Sequence, residues 1–151
     1  MFLIVMCMLF SLNANGMTND KGPETDSITG LKIYNYYEID DQPVYIIEND
    51  SIGYSPERSQ IQFMLDVIRS INYEGISNDD MIPKIDIEFI ITDYGELCGE
   101  RFVGKDNSEL NPFQRAILNN MQGRNKWLPG KINGQNVNTK LRMVTHVKPN
   151  Y

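Results

Sequence analysis

Residues 126–143, KWLPGKINGQNVNTKLRM, constrain the fold more than any other stretch. They hold the only tryptophan, Trp127, then Pro129–Gly130 and Asn133–Gly134, then a run of alternating apolar and polar residues. Pro-Gly punctuates regular structure, and Asn-Gly suits a two-residue hairpin because both residues tolerate positive φ. A period of two marks a strand with one buried face. An aromatic anchor, a tight turn and a closing strand therefore follow one another. In that strand Val137, Thr139, Leu141, Met143, Thr145 and Val147 alternate with Asn138, Lys140, Arg142, His146 and Lys148, which makes its polar face basic.

The elements upstream carry equally physical signals. Ser55–Pro56–Glu57 opens a helix with a cap, a proline at its first position and an acid in its first turn. Ile61, Met64, Leu65, Ile68 and Ile71 then form an amphipathic stripe, predicting a helix over residues 56–72. Asn111, Pro112 and Gln114 form a capping box before a second helix with Phe113, Ile117 and Met121 on one face, ended by Gly123. Between the helices, Ile85, Ile87, Phe89 and Ile91 alternate with Asp86 and Glu88, and residues 92–96 turn into a return strand from Leu97 to Val103. Residues 31–47, rich in tyrosine and isoleucine, read as one or two short strands, with Pro43 confining the second to an edge or an end. The expected fold is α+β: a small antiparallel sheet of about three strands with two helices packed on one face and a short β-rich extension in front.

The N-terminal segment is of a different kind. Residues 1–12 form an apolar run of 12 residues, well short of the roughly 20 that span a membrane. The run fits the apolar core of a secretory leader, with Ala14 and Gly16 as the small residues before a cleavage site near Gly16. A periplasmic or secreted chain with no transmembrane anchor follows from this reading; the other is a buried N-terminal strand or helix. Residues 17–30 are polar and read as a flexible tail, leaving residues 31–151 as a single domain. After cleavage Cys98 is the one cysteine left, a small buried residue rather than a reactive thiol.

Charge is divided unevenly. Residues 17–100 hold 5 Lys/Arg against 18 Asp/Glu, and residues 101–151 hold 9 against 2. The halves are expected to neutralise each other or to present solvated faces, and the net charge of −6 argues against a nucleic-acid partner.

No residue pattern points to an enzyme, and no cofactor or metal is implied. His146 is the only histidine, and Gly95, Gly99 and Gly104 do not have the spacing of a phosphate-binding loop. Asp86 and Glu88 share a strand face that reads as solvated rather than as paired catalytic carboxylates. Asn78, Asp79 and Asp80 lack the ligand spacing of a calcium loop. Tyr34, Tyr36 and Tyr37 pack a sheet face or line a ligand surface.

The pattern W-x-P-G-K-x-N-G-x-x-V followed by a strand resembles the end of the TonB C-terminal domain in its Bacteroidetes form. Trp127, Pro129, Gly130, Asn133, Gly134 and Val137 carry the resemblance. Asp93–Tyr94–Gly95, Leu110–Asn111 and Ala116 add to it, as do Glu38 with Pro43 and Ile71–Asn72–Tyr73. It implies a divergent, free-standing member that grips an extended segment of an outer-membrane TonB-dependent receptor, or of another periplasmic protein, by strand addition. The implied contact strand is the last one, treated as a sheet edge: Val137, Thr139, Lys140, Leu141, Arg142, Met143 and Thr145. Lys140 and Arg142 would flank the partner or guard the edge against aggregation, and a free edge would also let two copies pair as a homodimer. Two other readings stand beside it. One is a genuine TonB energy transducer whose gene starts further upstream; the other is a secreted protein that binds a small ligand or cell-wall fragment.

Overall fold

The computed structural model describes residues 5–7, 22–47, 55–124 and 126–148. Strand β1 is Val5–Cys7, β2 Glu24–Thr25, β3 Lys32–Asn35 and β4 Val44–Tyr45; helix α1 is Pro56–Arg69. The hairpin of β5, Lys84–Ile91, and β6, Leu97–Phe102, precedes helix α2, Pro112–Met121. Short strands β7, Trp127–Leu128, β8, Gly130–Ile132, and β9, Gln135–Val137, lead into the long β10, Thr139–Lys148.

The class is α+β, and the sheet is larger than the sequence suggests. Its path runs β2-β3-β10-β5-β6, with β1 also paired to β10. It is mixed, because β3 runs parallel to β10 while β5 and β1 run antiparallel to it. The short β-rich extension does not stand in front of a three-stranded sheet: it contributes β3 to the sheet itself and β4 to a ribbon with β7. Two small ribbons, β4 with β7 and β8 with β9, complete the structure.

The helix starts form as their residues dictate. The Ser55 hydroxyl accepts from the Arg58 N–H, and Asn111 and Gln114 exchange both bonds of a capping box, 2.9 and 3.0 Å. The buried stripe of α1 is Gln60, Phe63, Met64, Val67 and Ile68, continuing to Ile71 beyond the helix. Ile61 and Leu65, counted inside from the sequence, lie only half-buried at its margin. The stripe is rotated by one position because fully buried Phe63 and Val67 set its centre.

The core joins this stripe and Phe113, Ile117 and Met121 of α2 to Ile85, Ile87, Phe89 and Ile91 of β5 and Leu141, Met143 and Val147 of β10. Burying an aliphatic or aromatic side chain contributes ~1.5–3 kcal/mol, so this layer dominates the stability of the fold.

The polar segment read as a flexible tail is partly ordered. Residues 24–25 form β2, and Asp26 is 5% exposed. Asp26 accepts from the Thr29 N–H and hydroxyl, 2.9 and 2.8 Å, and its oxygens also take Arg101 of β6 at 2.7 Å. In a flat sheet β2 and β6 would stand roughly 19 Å apart, four strand spacings of about 4.8 Å. The sheet therefore curls until the loop after β2 crosses its outer face to meet β6. Gly99 permits the crossing, since a Cβ there would stand 2.8 Å from Thr29 Cγ2 and 3.5 Å from Ile90 Cδ1.

Candidate functional site

The Trp127 stretch is a hub of packing. Trp127 is 3% exposed and meets Tyr45, Phe63 and Phe89 at ring-centroid distances of 5.2, 5.1 and 5.9 Å. Its Nε1–H donates to the Arg124 carbonyl at 3.1 Å, so the indole leaves no polar group unpaired in the core. Gly130 accepts no side chain: a Cβ would collide with Thr139 Oγ1 and stand 2.6 Å from Ile39 Cδ1. Asn133 and Gly134 both have positive φ, 50° and 76°, and turn β8 into β9 as an Asn-Gly pair should. Asp40 fixes this turn by accepting from the Asn133 N–H at 2.7 Å, and Lys131 exchanges backbone bonds with Asp41. Pro129 bridges β7 and β8. These residues tie the N-terminal extension to the C-terminal half, and none presents a reactive group.

The strand implied as the contact surface differs from its sequence reading in two respects. Val137 is not part of it: Val137 closes the β8–β9 ribbon opposite Gly130, and Asn138 separates that ribbon from β10. Asn138 is held there by donating its side-chain N–H to the Lys32 carbonyl and accepting from the Asp93 N–H, both at 2.9 Å. Nor is β10 an outer edge. It lies inside the sheet, with β5 along residues 139–146 on one side. On the other side β3 covers Thr139 and Lys140, and β1 covers residues 146–148.

What remains without a strand partner on β10 is short and well defined. The Val147 N–H donates to the Pro83 carbonyl on the β5 side, so odd-numbered residues direct their backbone groups toward β5. Even-numbered residues direct theirs to the other side. Neither β1 nor β3 extends opposite Arg142 and Val144. Among the described residues, no strand pairs with these two on that side.

The side chains around this gap fall into two sets. Thr139, Leu141, Met143 and Thr145 are buried, with their side chains in the core and their backbone groups turned toward β5, so they offer a partner on the other side nothing. Lys140, Arg142, Val144 and His146 stand on the outer face. Arg142 grips Asp86 through two bonds of 2.9 Å, with Lys84 3.4 Å from the same carboxylate. The Arg142 hydrogen bond outweighs partial burial and holds the Asp86 carboxyl below its usual range. Glu88 is paired with Arg101 at 2.7 Å. Asp86 and Glu88 thus each face an arginine and are each engaged in an ion pair.

Of the two outer edges of the sheet, β2 is only two residues long and β6 is blunted. A bulge lies between Glu88 and Ile90 of its partner strand, and Gly99 adopts φ +64° within β6 itself. Bulges and twisted glycines deter further strand pairing.

The remaining candidates serve structure. Asp80 accepts from the Ser77 N–H and hydroxyl, capping a 3-10 turn. Burial, with Glu100, Asp26 and Glu96 nearby, pushes the Cys98 thiol up and makes it a poorer nucleophile. Tyr34 lies in β3 and half-buried Tyr36 packs on the core, while Tyr37 is 78% exposed; the three do not line one surface. Burial pushes the Tyr36 hydroxyl up to about 12. Among the described residues no cluster of His, Cys, Asp or Glu is placed to hold a metal ion. No described helix is long and apolar enough to cross a membrane. The expected leader cleavage near Gly16 lies outside the described residues. No family model, curated protein or solved structure matches the chain.

Proposed function

We propose that this chain is a protein-binding module of the TonB C-terminal-domain type, carried to the periplasm by a cleaved leader, that takes an extended partner segment as an added strand along β10. The partner class is the N-terminal segment of an outer-membrane TonB-dependent receptor. The backbone of Arg142 and Val144, between β3 and β1, carries the reading: it holds hydrogen-bonding groups in strand geometry that no described strand pairs on this side, within a strand otherwise paired on both sides. The outer edges add support: β6 is blunted and β2 offers only two residues to an added strand. Lys140 and the Asp86-paired Arg142 flank the added strand on the outer face.

The contact is narrower than a whole edge strand. It uses backbone at residues 142 and 144 and side chains at 140 and 142, while Thr139, Leu141, Met143 and Thr145 hold the strand in place from below. Titrating the labelled protein with synthetic receptor N-terminal peptides tests it. Amide signals of Arg142 and Val144 should move while those of Phe89 and Ile117 stay. Peptides that leave residues 140–146 unmoved at millimolar concentration would defeat the reading. Val144→Pro, which removes one donor from the gap, should abolish the shifts without disturbing the Trp127 core.

A further inference from the structure

Strand β1 shows what kind of segment β10 accepts. Val5, Met6 and Cys7 lie opposite Lys148, Val147 and His146, antiparallel, on the side of β10 away from β5. By the alternation along β10, the even-numbered residues His146 and Lys148 turn their backbone groups toward β1. Arg142 and Val144 belong to the same row. The four even residues 142–148 thus form one continuous acceptor edge, of which the two nearest the C-terminus are covered by the chain's own N-terminal segment. Residues 141–145 span roughly 17 Å of strand, and residues 141–148 roughly 27 Å.

We infer that β1 is an internal occupant of the partner-binding edge. The site is half-filled while the N-terminal segment stays attached and complete once that segment leaves. The inference rests on the strand-addition reading of β10, and it adds polarity and chemistry to it. The segment accepted runs antiparallel to β10 and is apolar, since β1 belongs to the run MFLIVMCMLF. Cleavage near Gly16, the position indicated by the small residues there, removes β1 and doubles the free row from two residues to four. A chain that keeps its leader covers its own edge; a cleaved chain exposes it to a partner.

Two measurements on the full chain test this. The first is a cross-link. In a Cys98→Ser background Cys7 is the remaining natural thiol, and His146→Cys places a second one directly opposite it in register. Facing Cα atoms of an antiparallel pair stand about 5.5 Å apart, inside the range a disulfide bridges, whereas a position two residues along lies beyond ~7 Å. Mild oxidation should close the Cys7 link to His146→Cys within one molecule at least tenfold faster than to Val144→Cys. Equal rates at the two positions, or no link at either, overturn the inference.

The second is hydrogen exchange with Val5→Pro/Cys7→Pro, which strips both donors of β1 that face β10. The His146 and Lys148 amides should exchange at least tenfold faster than in the unaltered chain, with Phe89 and Ile117 unchanged. Unaltered exchange at His146 and Lys148 refutes the internal strand. The same variant separates the two claims. If these amides are released and receptor-type peptides then bind roughly tenfold tighter, both hold. If they are released and no such peptide binds, β1 remains the occupant and the proposed partner class fails.

Discussion

On the helix-covered face of the sheet, Trp127 locks against Tyr45, Phe63 and Phe89. On the opposite face, Asp26 locks against Arg101, which also holds Glu88. Each contact fastens part of the N-terminal extension to the body of the fold, one through apolar area and ring geometry, the other through charge. Area burial is insensitive to pH and has no substitute once the ring is gone. A buried ion pair depends on both partners staying ionised, yet two apolar residues of similar volume can replace it at little cost. The first contact therefore sets how stable the fold is, and the second decides under what conditions the extension stays attached.

Truncation of the ring should give the largest effect. Trp127→Ala is expected to cost ~3–5 kcal/mol, measured by chemical denaturation, and no neighbouring substitution should restore it fully. Arg101→Met follows, at about 3 kcal/mol, because it strands the Asp26 carboxylate in a site where its side chain is 3% exposed. Adding Asp26→Leu should recover most of that loss. If the double variant is no better than the single one, the outer contact is not a replaceable ion pair and the contrast collapses.

Acid should affect the two contacts differently. Burial would raise the Asp26 pKa, but hydrogen bonds from Arg101 and Thr29 outweigh it and lower the value from 3.8 to about 2. A carboxyl lowered in the folded state stabilises it fully above its unfolded value and loses that contribution as pH falls through the folded one. Between about pH 4 and pH 2 the fold should lose about 2 kcal/mol from this group, and the loss should vanish in Asp26→Leu/Arg101→Met.

Two smaller effects refine the picture of β10. The Thr145 hydroxyl is buried without a hydrogen-bond partner among the described residues, so Thr145→Val should raise stability by roughly 1 kcal/mol in a thermal melt. Arg142→Ala removes an ion pair whose arginine side chain is 57% exposed, and should change stability by less than ~1 kcal/mol. Strand addition predicts a separate loss of peptide affinity in that variant.

The elements legible in the sequence are those whose cause is local. Ser55–Pro56 and Asn111–Pro112–Gln114 announce helix starts because their bonds close within three residues. Asn133–Gly134 announces its turn through φ alone. The ordered part of the polar tail was not legible, because Asp26 finds Arg101 75 residues away and nothing nearby signals it. For the same reason Ile90 breaks the inside–outside alternation of β5: although on the outer face, it is fully buried beside Gly99, where Thr29 crosses. The position of β10 inside the sheet was hidden too. Its neighbours β3 and β1 come from the far end of the chain, and a period of two is identical for a central and a flanking strand. Of the candidate site, the alternation marked which β10 residues face outward; which backbone groups stay unpaired depends on where β1 and β3 stop.

The lone indole offers a practical separation of signals. Tryptophan emission, excited where the tyrosines do not absorb, reports one location, the aromatic cage around Trp127 in the core. Anything that melts the fold changes that emission, whereas a strand arriving on or leaving the rim of β10 meets main chain on the far side of Leu141 and Met143. Folding can thus be followed optically while docking is followed by amide exchange. A variant that alters one signal without the other identifies which process it affects.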